Sequence, residues 1–257
     1  MIDWVGMNGG RFKVAAFHFV ISVAIVVLIA LAVLLVWYPH PYRELSDGFW
    51  LLGLLASVQV VLGPLLVFVV WTSKKPVAVF RRDVAVISIL QIVGLLYGVS
   101  VIYDARPIYL VYEFDRFRVV HASDVPVELY SEAPPGIPAS PFLGPDILGV
   151  REFESPAEKF NLTLAALAGL SVSAQPSMWQ AYSASVPRVV KSCVKVDKFL
   201  DRYPTQFLKI HRIAEDYEID SVRGLCTLPV VGRKGDWTVV LDGINGRHLA
   251  YLPFDSF

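Results

Sequence analysis

The chain has 257 residues, 55% of them apolar, a mean hydropathy of +0.53 and no net charge, a balance that fits a protein divided between lipid and water. Neutrality hides a split, since residues 1–103 carry +3 and residues 104–257 carry −3. The mildly acidic C-terminal part offers no basic face to phosphate, which excludes nucleic-acid binding as the function.

Residues 1–13 form a short N-terminal segment bearing Arg11 and Lys13. Three runs without a formal charge come next, over residues 14–38, 49–72 and 84–103. At 1.5 Å per residue, about 20 helical residues cross a hydrocarbon core of roughly 30 Å, so each run reads as a transmembrane helix. The first is too long for a cleaved secretory signal. It continues past a signal's apolar core of about 7–15 residues into Trp37, Tyr38 and Pro39, and is expected to stay as an anchor.

Lys and Arg beside a span resist translocation. The first connection carries only Arg43, whereas Arg11 and Lys13 precede the first run and Lys74, Lys75, Arg81 and Arg82 separate the second from the third. This pattern predicts a multi-pass protein of a bacterial inner membrane with a cytoplasmic N-terminus and residues 104–257 as a periplasmic domain. Membrane lipid is then an obligatory neighbour. Trp37, Tyr38, Tyr42, Trp50, Trp71 and Tyr103 lie at the run ends and read as an interfacial aromatic belt.

Inside lipid, helices associate through close packing and polar contacts. Gly94 and Gly98 have the spacing that lets a neighbouring helix approach, although glycine is also common in membrane helices for no such reason. Gln59 and Gln91 fall near the middle of the second and third runs, where an unpaired amide would cost several kcal/mol. They read either as a hydrogen-bonded pair pinning the two helices or as a polar notch for a group on a partner's helix. Gly63-Pro64 interrupts the second run, and proline removes a backbone bond and clashes with the preceding turn, so a kink is expected near Val60. His18 reads as an interfacial imidazole.

Beyond the runs, residues 107–125 are rich in β-branched and aromatic types and predict two strands or one long bent strand. Pro134, Pro135, Gly136, Pro138, Pro141, Gly144 and Pro145 make residues 131–145 a long loop, free to wrap the domain or to meet a partner. Ser155, Pro156 and Glu158 mark a helix start with a capping box. Further helices are predicted over 186–203 and 205–216, and a hairpin over 237–242 and 248–252 through Asn245-Gly246. The pattern predicts an α+β domain with an antiparallel sheet. Its two cysteines, Cys193 and Cys226, fall in the part assigned to an oxidising compartment, which favours a disulfide over two buried thiols.

No catalytic set or metal site stands out. Ser192 and Lys195 have an S-x-x-K spacing without its companion motifs. His121 and His211 have no neighbour at zinc-ligand spacing, and no cofactor is expected. Glu113, Asp115 and Arg116 read as a solvated strand face with local ion pairs.

Three blocks carry a family resemblance: residues 38–46 (Tyr38-Pro39-His40-Pro41-Tyr42-Arg43-Glu44-Leu45-Ser46), residues 61–66 around Gly63-Pro64, and residues 105–117 with Arg106, Pro107, Tyr109, Asp115 and Arg116. In order and spacing the chain resembles the type IV pilin accessory proteins of the TfpX/TfpZ type, from Arg11 to about Val125 and again from Leu228 to Asp242. It departs at Gln59, where the family leads one to expect an acidic residue. The resemblance implies an inner-membrane, non-enzymatic chaperone or modulator of type IV pilus assembly. Its implied partners are the cognate major pilin and other pilus assembly components. A pilin awaiting assembly also has one membrane helix and a periplasmic head, so Gly63, Pro64, Gly94 and Gly98 become candidate pilin-helix contacts. The competing classes are a membrane-anchored periplasmic sensor or ligand-binding module, and an enzyme acting on pilin or its glycan.

Overall fold

A computed structural model describes residues 4–70, 72, 76–219 and 221–257, with side chains from residue 12 onward. Arg11, Trp71, Lys74 and Lys75, read above as basic flanks and an aromatic anchor, lie outside the described side chains. The chain divides into two compact units, one of residues 1–36 and 48–105, the other of residues 37–47 and 106–257.

In the first unit α1 (Trp4–Ala32) passes into a π-helical turn, Val33–Trp37. After the short α2 (Tyr42–Leu45), which belongs to the second unit, a rod of 23 residues runs from Gly48 to Val70 as α3 (Gly48–Ser57), a π-helical turn (Val58–Leu62) and α4 (Gly63–Val70). The kink expected near Val60 is this widened turn. Pro64 has no N–H for the Val60 carbonyl and its ring presses on it, and one extra residue in the turn relieves the clash. The third helix, α5 (Val77–Asp104), starts well before the uncharged run at residue 84, so Arg81, Arg82 and Asp83 occupy its first turns. Charge ends an apolar run without ending a helix. All three helices are long and apolar enough to cross a membrane.

The second unit is an α+β fold around one eight-stranded sheet. Strands β1 (Pro107–Glu113) and β2 (Arg116–His121) form a hairpin turned at Phe114, whose φ of 60° is left-handed. Then come β3 (Asp146–Val150), α6 (Pro156–Leu167), β4 (Trp179–Ala181), α7 (Tyr182–Ser192), β5 (Val194–Lys195), α8 (Val196–Arg202), α9 (Phe207–Asp216), β6 (Leu225–Val231), β7 (Asp236–Asp242) and β8 (His248–Leu252). The strand order is β4-β3-β1-β2-β6-β7-β8, with β5 on β6. Two pairings, β1 with β3 and β2 with β6, are parallel, so the expected antiparallel sheet is a mixed one with antiparallel pairs in the majority. Parallel neighbours need long connections, and the Pro-rich segment and the helical stretch before β6 supply them. The whole of β1 is buried, which explains why its sequence alternates only partly.

Several local expectations change in the structure. The helix read over 186–203 is broken at Cys193 into α7 and α8, because Val194 and Lys195 pair with Thr227 and Cys226. Ser155 caps α6 by accepting the Glu158 N–H, yet Glu158 does not close a capping box. Its carboxylate accepts from the Glu154 N–H and pairs with Arg151 at 2.5 Å. Asn245-Gly246 ends a longer loop instead of making a two-residue turn: Asp242 and Asn245 accept from the Ile244 and Arg247 N–H groups, and Gly246 takes a φ of 67°. Glu113, Asp115 and Arg116 lie across the β1–β2 turn, not along one strand. Glu113 is buried against Arg118 at 3.1 Å, and Arg116 pairs with Asp115 at 2.8 Å.

A disulfide joins Cys193, at the end of α7, to Cys226 in β6. By the chain-entropy argument a loop of this size contributes about 3–4 kcal/mol. The double substitution Cys193→Ser with Cys226→Ser is therefore expected to lower the melting temperature of the second unit by about 10 °C, read by near-ultraviolet circular dichroism of the full chain in detergent.

Candidate functional site

The segment Trp37–Asp47 reads in the sequence as a connection between two apolar runs, with Tyr38 and Tyr42 as interfacial anchors. In the structure it is part of the second unit's core. Tyr42 and Leu45, on one face of α2, join the cluster of Leu110, Tyr112, Phe117, Val119, Leu228 and Val239. Burial of two such side chains contributes about 3–6 kcal/mol. Tyr38 is fully buried as well. The approach is close: a Cβ at Gly232 would lie 2.7 Å from the Leu45 carbonyl oxygen, and the Lys234 N–H donates to that oxygen at 3.2 Å. Glycine at 232 is a condition of the docking.

Polar contacts fix the end of the segment. Asp124 accepts from the His121 backbone N–H at 2.8 Å and from ring Nδ1 at 3.1 Å. A carboxylate only accepts, so Nδ1 carries the proton and Nε2 is left to accept from the Ser46 hydroxyl at 2.7 Å. The second Asp124 oxygen accepts from Arg233 at 2.5 Å, and Lys234 pairs with Asp47 at 2.8 Å. Burial lowers the His121 pKa, opposed by Asp124. Burial alone would raise the Asp124 carboxyl, but hydrogen bonds from His121 and Arg233 outweigh it and hold it at about 2. The order Ser-His-Asp matches that of acyl-transfer enzymes. Here Ser46 is 3% exposed and His121 wholly buried, so no substrate carbonyl reaches the hydroxyl, and the set acts as a lock. Sequence reasoning found none of it. Its only trace is that the first family block ends at Ser46.

A second buried polar set lies under α2. His248 Nδ1 is 2.9 Å from the Tyr251 hydroxyl, which is hydrogen-bonded to Tyr42, and the imidazole packs edge-on against Phe117 at 4.7 Å. Burial pushes His248 down to about 4.

The family-motif residues divide by role. Arg106 is 1% exposed and donates through Nη2 to Ser140 Oγ and the Pro141 carbonyl, at 2.9 and 2.8 Å. The Tyr109 hydroxyl donates to the Pro138 carbonyl at 2.6 Å, and Pro107 opens β1. These residues bind the Pro-rich loop to the domain. Asp115 and Arg116 instead occupy the hairpin tip, where Arg116 stacks 4.7 Å over the Phe257 ring. Ser192, of the S-x-x-K spacing, is tied to the Tyr112 hydroxyl and the Val189 carbonyl. Among the described residues no three His, Cys, Asp or Glu side chains gather as metal ligands.

In the first unit the two glutamines meet, each through the other's main chain. Gln59 Nε2 donates to the Gln91 carbonyl at 2.9 Å, and Gln91 Nε2 to the Gln59 carbonyl at 3.4 Å. The π-helical turn exposes the Gln59 carbonyl for this. Gly63 makes room: a Cβ there would lie 1.8 Å from Gln91 Nε2. Gly98 likewise admits Leu55, whereas Gly94 faces open space, so one glycine of the pair serves packing within the unit. His18 is turned toward Ser22, with Nδ1 3.3 Å from its hydroxyl.

This geometry sets two expected outcomes. His248 is neutral in the fold and would be charged below its ordinary pKa of about 6.5 when unfolded, so its contribution is complete above that pH and lost as pH falls toward 4. Acidification from pH 7 to 5 is expected to destabilise the second unit by about 2 kcal/mol through His248, with a contribution of the same sign from His121, and His248→Gln should flatten this slope in denaturant titrations at the two pH values. In the first unit, Gly63→Ala forces the Gln91 amide out of place and should cost about 1 kcal/mol, while Gly94→Ala should stay within about 0.5, both read as thermal stability in detergent.

Comparison with known proteins puts these features in a family. The family described as Fimbrial assembly protein FimB matches residues 9–47, which end with the docked segment. Over 98% of its length the chain is 29% identical to a "Fimbrial assembly protein, serogroup I" of Dichelobacter nodosus, covering 99% of that protein. A serogroup E1 counterpart is 27% identical with the same coverage. A "Fimbrial assembly protein, serogroups C1 and C2" from the same organism is 33% identical across 46% of this chain and 94% of its own. No solved structure gives a significant match. With 33% identity over 94% of that last relative, and in keeping with its resemblance to type IV pilin accessory proteins, the chain belongs to the fimbrial assembly protein family.

Proposed function

We propose that this protein is a non-enzymatic inner-membrane accessory factor of type IV pilus assembly that binds its cognate pilin, in the membrane through its apolar helices and in the periplasm through the α+β unit. The observation that carries the reading is similarity to fimbrial assembly proteins over 98% of the chain, covering both units. An unassembled pilin has the same two parts, a membrane helix and an external head, and one protein with both can hold both.

The topology supports the reading. Residues 37–47 and 106–257 fold together and so must share one side of a membrane, and two crossings by Gly48–Val70 and Val77–Asp104 return the chain to that side. With basic residues at the opposite ends, that side is the periplasm. A disulfide in this unit agrees with an oxidising compartment. Partner binding is also favoured by an open groove of about 670 Å³ on the second unit, lined by Phe114, Phe153, Arg151 and Arg188. Such a groove suits a protein segment better than an enclosed small molecule.

Deletion of the gene should abolish or strongly reduce surface pili while pilin remains in the membrane, and the full chain supplied in trans should restore them. Electron microscopy paired with immunoblots of membrane fractions reads both. Normal piliation in the deletion strain would overturn the proposal.

A further inference from the structure

The first and third apolar helices both pack on the second, leaving a groove with the second helix as its floor. The cavity there, about 190 Å³, is lined by His18 and Ser22 from α1, Gln59 from the π-helical turn, and Ser88 and Gln91 from α5, with Ile92 among its apolar walls. Its volume is several times the roughly 30 Å³ share of a water molecule. Five polar side chains converge in a stretch of chain otherwise almost wholly apolar.

Their internal pairing is incomplete. The glutamine nitrogens reach main-chain carbonyls and His18 reaches Ser22. Among the described residues, neither glutamine amide oxygen nor the Ser88 hydroxyl has a partner. In hydrocarbon such groups cost free energy until they are hydrogen-bonded. Gln91 lies seven residues, roughly 10 Å, into the uncharged run that begins at residue 84, and Ser88 four residues, roughly 6 Å. Acyl chains cannot hydrogen-bond to them. The outward residues of α5 near this depth, Ile89, Leu90 and Val93, are apolar and exposed, so that face of a second copy has nothing to offer the cavity.

We infer that this groove receives a single transmembrane helix of a partner, held by one uncharged side chain on that helix that both donates and accepts hydrogen bonds at the depth of Ser88 and Gln91. The inference rests on the function proposed above, in which the helix belongs to the pilin subunit. Ser88 and the glutamine oxygens supply the acceptors and the Ser88 hydroxyl a donor, while Ile92 packs on the incoming helix.

The test is photocrosslinking in the native membrane, with a benzoylphenylalanine probe at Ile92 in the groove, at Leu90 on the far face of α5, and at Phe114 in the second unit. The expected result is a pilin adduct from Ile92 and none from Leu90. Adding Ser88→Ala should weaken the Ile92 adduct about 3- to 30-fold, with the protein's level in the membrane unchanged. Since Ser88 makes no bond within the unit, this variant leaves the fold intact. A pilin adduct from Phe114 with none from Ile92, or equal adducts from Ile92 and Leu90, would overturn the groove and leave the proposed function standing. A dimer of this chain or a lipid adduct as the sole product at Ile92 would also overturn it. Absence of pilin adducts at every probe, together with normal piliation in the deletion strain, would overturn both.

Discussion

Ser46 donates to His121, His121 to Asp124, and Asp124 accepts in turn from Arg233, so that one chain of hydrogen bonds, buried at Ser46 and His121, fastens the segment after the first apolar helix to the loop between β6 and β7. Tyr42 and Leu45 pack on the sheet face formed by β1, β2, β6 and β7, beside Leu110, Phe117 and Val239.

A buried Ser-His-Asp set used as a lock shows how the same chemistry serves two ends. In an enzyme the serine faces a pocket and the imidazole cycles its proton. Here both are sealed, and the pairing fixes one tautomer. The result is rigidity that depends on a neutral imidazole, and the neighbouring His248 adds a second such dependence. The unit is thereby matched to neutral surroundings.

In the first unit a different balance holds. For helices that lie in lipid, as proposed for these, burial of apolar area gives little drive, and shape and a few polar contacts decide. Pro64 widens a turn, the widened turn bares a carbonyl, Gln91 takes it, and Gly63 leaves the space for Gln91 to do so. One sequence irregularity thus accounts for the turn, the amide exchange and the glycine together.

Local periodicity, capping residues and composition were enough for the three apolar helices, the α+β class of the C-terminal domain, the start of α6 and the β7–β8 hairpin, whereas they left residues 107–125 as two strands or one bent strand and favoured the Cys193–Cys226 bridge without deciding it. The resemblance blocks at 38–46 and 105–117 also pointed to the right family. Folding in three dimensions was needed to put residues 37–47 in the second unit's core, to make β6 the join between two halves of a mixed sheet, and to bring Ser46, His121, Asp124 and Arg233 together. A tyrosine at the end of an apolar run looks the same whether it faces headgroups or a sheet. Contacts between residues 75 or more positions apart leave no periodic trace in one chain, so burial, and with it the difference between an anchor and a core residue, is settled only when distant segments pack.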